Sequence, residues 1–196
     1  MGAGSAYVGM DHNTPLTFTP VDHPNPTVRH VGFDLDSPYV EQCWATTLGP
    51  SSIALLRRMP VLWTAQVPAG VEAGELSASL GLGTGTGERS RFHNTLDRLV
   101  RFGLMRETAG EEFDVFCQVA PLSARQLERA PQWTIDTHQR LLTAHLTRVG
   151  GVEPAPGGAD AGADPAVLLA GRLDRLQRPS PPDPVPVGAR TGGLAR

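Results

Sequence analysis

One stretch of this chain, residues 81–106, constrains its fold more than any other: GLGTGTGERSRFHNTLDRLVRFGLMR. It opens with a glycine-rich loop, and Ser90 then stands where the cap of a helix is expected. Over residues 90–103 the positions on one face, at helical spacing, are Phe92, Leu96, Leu99, Val100 and Gly103. The positions on the other face are Ser90, Asn94, Asp97 and Arg101, flanked by Arg91 and Arg98. The stretch therefore predicts an amphipathic helix whose core face and solvent face are separate.

Helical and strand patterns on both sides of this stretch indicate one domain over residues 36–149. Before the loop, the spacing of apolar residues predicts helices over about 38–48, 51–59 and 72–80, with a kink or stop at Pro60 and a short continuation through Trp63. After residue 103, segments 104–108 and 113–119 bracket AGEE and predict a β-hairpin, and a helix over 132–149 follows. The fold class expected is mainly α with a small β-hairpin, an α+β domain.

The two ends of the chain are rich in residues that interrupt regular structure. The 196 residues include 22 glycines and 18 prolines, which crowd toward the ends. Residues 1–35 are predicted to be a flexible N-terminal arm, because no period of 2 or 3.6 persists in them. Residues 150–196 are predicted to form a Gly/Pro-rich linker, a short helix at about 165–178 and a disordered tail.

The sequence contains no pattern that predicts a metal site or a catalytic centre. This holds for the cysteines, the histidines and the glycine loop. Cys43 and Cys117 lie far apart and form no CxxC pair, so neither a zinc site nor a disulfide framework is predicted. His12, His23 and His30 lack rigid ligand spacing. The loop has no GxxxxGK[ST] motif, and the chain has no lysine. We expect no cofactor, no metal and no enzymatic activity.

The hydropathy of the chain gives no sign of a membrane segment. No apolar stretch approaches the length of a membrane span. The first residues lack the basic region and apolar run of a secretory signal. The sequence therefore predicts a cytoplasmic protein that does not contact a membrane.

The order of these elements resembles the winged helix-turn-helix family of DNA-binding proteins. ELSASLGL followed by LDRLVRFGL is similar to the pattern of MarR-like regulators, and FDVFCQV corresponds to a strand of the wing. LGPSSIALLR is similar to the opening helices of DnaD-type replication modules. The chain departs from both in its long glycine loop and in having no recognisable second domain. The resemblance implies a winged helix-turn-helix with an added C-terminal helix, and a role as a bacterial transcriptional regulator that binds DNA.

The charge of residues 88–106 fits DNA better than the charge of the whole chain does. The formal net charge is -3, which argues against indiscriminate coating of nucleic acid. Residues 88–106, however, hold five arginines and two acidic residues, a local excess of +3. The side chains expected to face base edges or the groove edge are Ser90, Arg91, Asn94 and Arg98. Those expected to contact phosphate are Arg89, Arg101 and Arg106.

The partner expected from this interpretation is double-stranded DNA, bound by a homodimer that pairs through the helix over residues 132–149. The tip of the predicted wing carries Glu111 and Glu112, which would repel phosphate, and Phe116 is expected to be exposed. These features favour an alternative, a winged-helix module that binds a protein partner at its acidic wing. A replication or DNA-maintenance accessory factor without sequence-specific binding is the other alternative.

Overall fold

A computed structural model describes residues 10–150, and its helices and strands together form an α+β fold, as predicted. The helices are α1 (Pro26–Val31), α2 (Ala45–Leu48), α3 (Pro50–Ala65), α4 (Ala73–Ser79), α5 (Arg91–Arg101), α6 (Ala124–Leu127) and α7 (Gln132–Gly150). The strands are β1 (Pro15–Val21), β2 (Phe33–Asp34), β3 (Ala69–Glu72), β4 (Met105–Ala109), β5 (Glu112–Phe116) and β6 (Gln118–Val119). The predicted short helix at 165–178 lies outside the described residues.

The predicted helix over residues 90–103 is confirmed as α5. The Ser90 hydroxyl caps it by accepting a hydrogen bond from the His93 N–H at 3.0 Å. Its apolar face is fully buried at Phe92, Leu96 and Leu99. The helix ends at Arg101, and Gly103, two residues later, adopts a φ of 69° that favours glycine, so that the Leu104 N–H donates to the Leu99 carbonyl at 3.0 Å. The chain therefore leaves the helix in a fixed direction, straight into β4.

The elements on both sides of α5 follow the predicted order. Helix α3, strand β3 and helix α4 precede α5, and β4 and β5 form the antiparallel hairpin of the wing. Helix α3 runs without interruption through Pro60 to Ala65, two residues beyond the continuation predicted from the sequence. The first predicted helix, over about 38–48, is confirmed: these residues are helical throughout, with a π-helical turn at Val40–Trp44 that passes into α2.

The prediction of a flexible arm over residues 1–35 needs correction for residues 10–35, which belong to the folded domain. Strand β1 lies inside a four-stranded sheet of order β3-β1-β5-β4, antiparallel to β3 and parallel to β5. Leu16 and Phe18 on this strand are completely buried. The cause is hydrophobic burial by tertiary pairing, which outweighs the weak local strand signal of a segment with prolines at both ends.

The added C-terminal helix, α7, packs on the start of the helical layer. Leu142 is fully buried, and Leu146 packs against the core from a half-buried position. The Tyr39 hydroxyl lies 2.5 Å from His138 Nδ1 and accepts the Leu122 N–H at 2.9 Å. The predicted apolar stripe of this helix is therefore occupied within its own chain, and a dimer through α7 would use the outer face.

The two cysteines lie in different settings, and neither forms a disulfide. Cys43 is buried under α7, and burial raises the pKa of its thiol to about 12. Cys117 is half-buried, and burial raises the pKa of its thiol as well. Both thiols are therefore protonated and poorly nucleophilic at neutral pH.

Within residues 10–150, no helix is long and apolar enough to cross a bilayer.

Candidate nucleic-acid interface

The exposed face of α5 presents a stripe of polar and charged side chains. Arg91, Asn94 and Arg101 are exposed, and Arg98 between them is half-buried. Their spacing of three and four residues places them along one side of the helix. Arg89 is exposed in the turn just before the helix begins. The structure thus brings five of the seven predicted site residues onto one surface at α5.

Ser90, the sixth of the seven predicted site residues, caps helix α5. Its hydroxyl accepts the His93 N–H, and its carbonyl oxygen accepts a hydrogen bond from Asn94 Nδ2 at 2.9 Å. Asn94 is nevertheless exposed, and its hydrogen bond is a local one that a ligand can replace. Asn94 therefore stays a candidate for base contact, whereas Ser90 positions the helix.

Arg98 has a structural contact that the sequence did not suggest. Its Nη1 donates to the Leu48 carbonyl at 3.0 Å, at the carboxyl end of α2. Gly49, which ends α2 with a φ of 77°, leaves room for this contact, because a Cβ at that position would lie 3.2 Å from Arg98 Nη1. A cation at a helix carboxyl end satisfies an open carbonyl and the helix dipole. Arg98 therefore ties α5 to the α2–α3 junction.

We expect Arg98→Ala to lower the free energy of unfolding by about 1–2 kcal/mol, because a hydrogen bond with a charged donor is lost at a half-buried site. Urea denaturation followed by circular dichroism measures the change. Arg91→Ala is the matched control, since Arg91 lies exposed on the same helix and its side chain makes no hydrogen bond or ion pair with residues 10–150. The control is expected to change stability by less than about 0.5 kcal/mol. Equal losses in the two variants would contradict the structural role of Arg98.

The charge of Arg106 is partly neutralised, because its side chain pairs with an acidic residue across the hairpin. It forms an ion pair with Asp114, its direct neighbour in the β4–β5 register. The Arg106 side chain is 65% exposed and that of Asp114 16% exposed. Such a pair is weak in energy but partly neutralises the guanidinium. Arg106 is therefore a poorer candidate for phosphate contact than Arg89 or Arg101.

A shallow groove runs along the amino-terminal half of α5. Its volume is about 220 Å³, and Arg91, Asn94 and Arg98 form one wall. The other wall is the start of α3, from Gly49 to Ser52. Three polar side chains of α5 thus border one concave surface.

The wing presents acid at its tip and no exposed aromatic residue. Glu111 and Glu112 are exposed next to Gly110, whose φ of 55° forms the turn. Phe116, predicted to be exposed, is 9% exposed and packs against the His23 ring at a centroid distance of 5.3 Å. The prediction was wrong because the N-terminal segment, taken as a flexible arm, covers this side of β5. Of the two features that favoured a protein-binding wing, the acidic tip is exposed and Phe116 is not.

Two exposed arginines lie near Phe102, the residue that follows α5, and the sequence prediction did not include them. Arg125 and Arg129 are on or next to α6, four residues apart. Their spacing, which places both on one side of a helical turn, is the sequence feature that could have indicated them.

Within residues 10–150, no group of three or more His, Cys, Asp or Glu side chains is arranged to hold a metal ion.

Comparisons with known proteins give one weak structural similarity. No family model matches the chain, and no curated protein is significantly similar to it in sequence. The structure is similar, with a TM-score of 0.35 and 16% sequence identity, to primosome protein DnaB (residues 1–300) from Geobacillus stearothermophilus. The match covers 88% of this chain and 53% of that one, so the chain spans about half its length. A similarity this low carries no argument about function.

Proposed function

We propose that this protein binds duplex DNA through the exposed face of α5. The observation that carries the proposal is the set of uncompensated cations there: Arg89, Arg91 and Arg101 are exposed and have no ion pair within the described residues. They surround Asn94, which has the amide that recognises adenine in the major groove. A helix with a polar outer face, held on a winged scaffold, fits the width of that groove.

The contacts within the chain refine the role of each residue. Arg91 and Asn94, near the amino end of α5, are assigned to base edges, and Arg89 and Arg101 to phosphate. Arg98 and Arg106 are assigned secondary roles, since each already has a partner in the chain. The role we propose with this interface is that of a cytoplasmic transcriptional regulator. A homodimer would supply the second half-site contact.

The second candidate is a module that binds a protein partner, or an accessory factor in replication, without sequence-specific DNA contact. The acidic tip of the wing, Glu111 and Glu112, supports it, because two exposed carboxylates there repel a phosphate backbone. This candidate predicts no duplex binding through α5.

The test is fluorescence anisotropy with mixed-sequence duplex DNA across a series of salt concentrations. We expect Arg89→Ala plus Arg91→Ala to weaken binding about 10- to 100-fold, because a base contact and a phosphate contact are both lost. The slope of log affinity against log salt should become shallower by about 0.9, because one phosphate contact is removed.

Arg140→Ala plus Arg148→Ala is the matched control, because both arginines are exposed on α7 and the net charge changes equally. The control variant should bind duplex DNA within about twofold of the unaltered protein and with nearly the same salt slope. Equal losses in both double variants would reject α5 as the DNA interface. Absence of duplex binding at low salt would favour the protein-binding candidate.

A further inference from the structure

A second surface of potential function lies at the carboxyl end of α5, where two cavities border the same aromatic side chain. One cavity, of about 330 Å³, is lined by Trp44, Phe102 and Leu104 among others. The other, of about 710 Å³, lies between Phe102, Thr46, Thr47 and the α6 segment. Phe102 is 36% exposed, which is unusual for a large apolar side chain beside a buried core. Together the two cavities form a groove around Phe102.

The groove is positively charged although the chain as a whole is negative. Arg125 and Arg129 line the larger cavity, and both are exposed and without an ion pair within residues 10–150. Arg101 adds a third guanidinium, whose Cζ is 6.0 Å from the centroid of the Phe102 ring. None of the residues that line either cavity is Asp or Glu. Charge complementarity therefore selects an anionic ligand.

Neutral hydrogen-bonding groups lie beside these charges. The Gln126 Oε1 accepts hydrogen bonds from the Ser123 N–H and hydroxyl, each at 2.8 Å. This arrangement holds the Gln126 side chain in place at the groove wall, with its amide nitrogen as a donor. The Thr47 side chain on the opposite wall adds a hydroxyl group. The groove thus combines a flat apolar ring, fixed polar groups and three cations.

We propose that this groove binds an unpaired nucleic-acid strand, with a base stacked on Phe102 and phosphates held by Arg101, Arg125 and Arg129. An exposed aromatic ring beside arginines is the combination that single-strand binding uses, because every base offers a π-face and every nucleotide a phosphate. Duplex DNA does not fit this site as well, because its bases are already stacked on one another. An acidic peptide would use the arginines but would leave the ring without a flat partner.

This site shares Arg101 with the duplex surface proposed above, and its other residues are different ones. Arg91 and Arg101 are ten residues apart along α5, about 15 Å at the rise of an α-helix. The residues replaced to test the duplex surface, Arg89 and Arg91, lie at the amino end of α5, whereas those replaced to test the groove, Phe102, Arg125 and Arg129, lie beyond its carboxyl end. Variants at one end can therefore be tested without removing the other.

The experiment measures anisotropy with a fluorescein-labelled oligothymidylate of about 12 nucleotides, a length within the range bound by a single domain. We expect Phe102→Leu to weaken binding about 5- to 150-fold through loss of base stacking. Arg125→Ala plus Arg129→Ala should weaken it about tenfold at low salt and make the salt slope shallower by about 1.4. Arg140→Ala plus Arg148→Ala, with the same change in charge, should bind within about twofold.

An abasic oligonucleotide of the same length isolates the stacking. It should bind more weakly than oligothymidylate and should not distinguish Phe102→Leu from the unaltered protein. Equal binding of the abasic and thymidylate strands would overturn the proposal and indicate a general anion site, such as one for an acidic peptide. No loss in the Arg125→Ala plus Arg129→Ala variant, whose replaced side chains are exposed and have no ion pair within residues 10–150, would overturn it as well.

A parallel measurement with oligouridylate distinguishes RNA from DNA as the ligand of the groove. Tighter binding of oligouridylate than of oligothymidylate assigns the groove to RNA, and the reverse assigns it to DNA. The Arg89→Ala plus Arg91→Ala variant should retain oligothymidylate binding while it loses duplex binding. Absence of duplex binding by the unaltered protein, with oligothymidylate binding present, would reject only the function proposed for α5, and the groove around Phe102 would stand independently.

Discussion

Replacing Phe18 by alanine is expected to lower the free energy of unfolding by about 3–5 kcal/mol. Phe18 is fully buried on β1, between β3 and β5. Its ring stacks on Phe113 at a centroid distance of 5.4 Å, and its carbonyl oxygen accepts the Trp63 indole N–H at 3.0 Å. Removal of the ring leaves a cavity in the middle of the sheet that its neighbours cannot close.

Urea denaturation monitored by circular dichroism measures this loss. Val61→Ala is the control, because Val61 is 65% exposed on α3 and its truncation should change stability by less than about 0.5 kcal/mol. If Phe18→Ala behaved like this control, β1 would not belong to the folded core. The N-terminal segment would then be the flexible arm that its local sequence suggests.

The sequence could not reveal β1 because everything that stabilises this strand is distant along the chain. Thr17 pairs with Glu112 of β5, and Pro15 pairs with Glu72 of β3. Local signals in residues 15–21 are two prolines and two buried apolar residues at a spacing of two, too few to define a period. Parallel pairing across such a separation depends on the rest of the fold being present.

Helix α5 was predictable because its determinants are local. The Ser90 cap, the buried positions at Phe92, Leu96 and Leu99, and the terminating Gly103 all lie within fourteen residues. A cap, a period and a stop signal are each readable from adjacent sequence. The core face of the helix was therefore identified correctly from sequence alone.

The candidate site was only partly predictable, because the availability of a charge depends on its neighbours in space. Arg98 and Arg101 look alike in the sequence, yet Arg98 donates to Leu48, fifty residues away. Arg106 is paired with Asp114 by the register of the hairpin. Local charge counting treated these arginines as equal, whereas the fold leaves Arg89, Arg91 and Arg101 as the free cations among those predicted.

We expect Tyr39→Phe to lower the free energy of unfolding by about 2–4 kcal/mol, although it removes a single oxygen atom. The Tyr39 hydroxyl is buried and accepts the Leu122 N–H, and it lies next to His138 Nδ1. Burial raises the pKa of Tyr39, so the hydroxyl keeps its proton and donates it to His138 Nδ1 in the tautomer that carries its own proton on Nε2. Loss of the oxygen leaves the buried Leu122 N–H and His138 nitrogen without that partner.

The measurement is urea denaturation of Tyr39→Phe, His138→Leu and the double variant, which together form a double-mutant cycle. Phenylalanine keeps the ring that stacks on Phe33 at 3.8 Å, so a loss reports the hydrogen bonds and not the packing. A coupling energy of about 0.5–3 kcal/mol between the two positions is expected for side chains in direct contact. Additive effects would show that Tyr39 acts through Leu122 alone, and that α7 is held to the domain by apolar contacts such as that of Leu142.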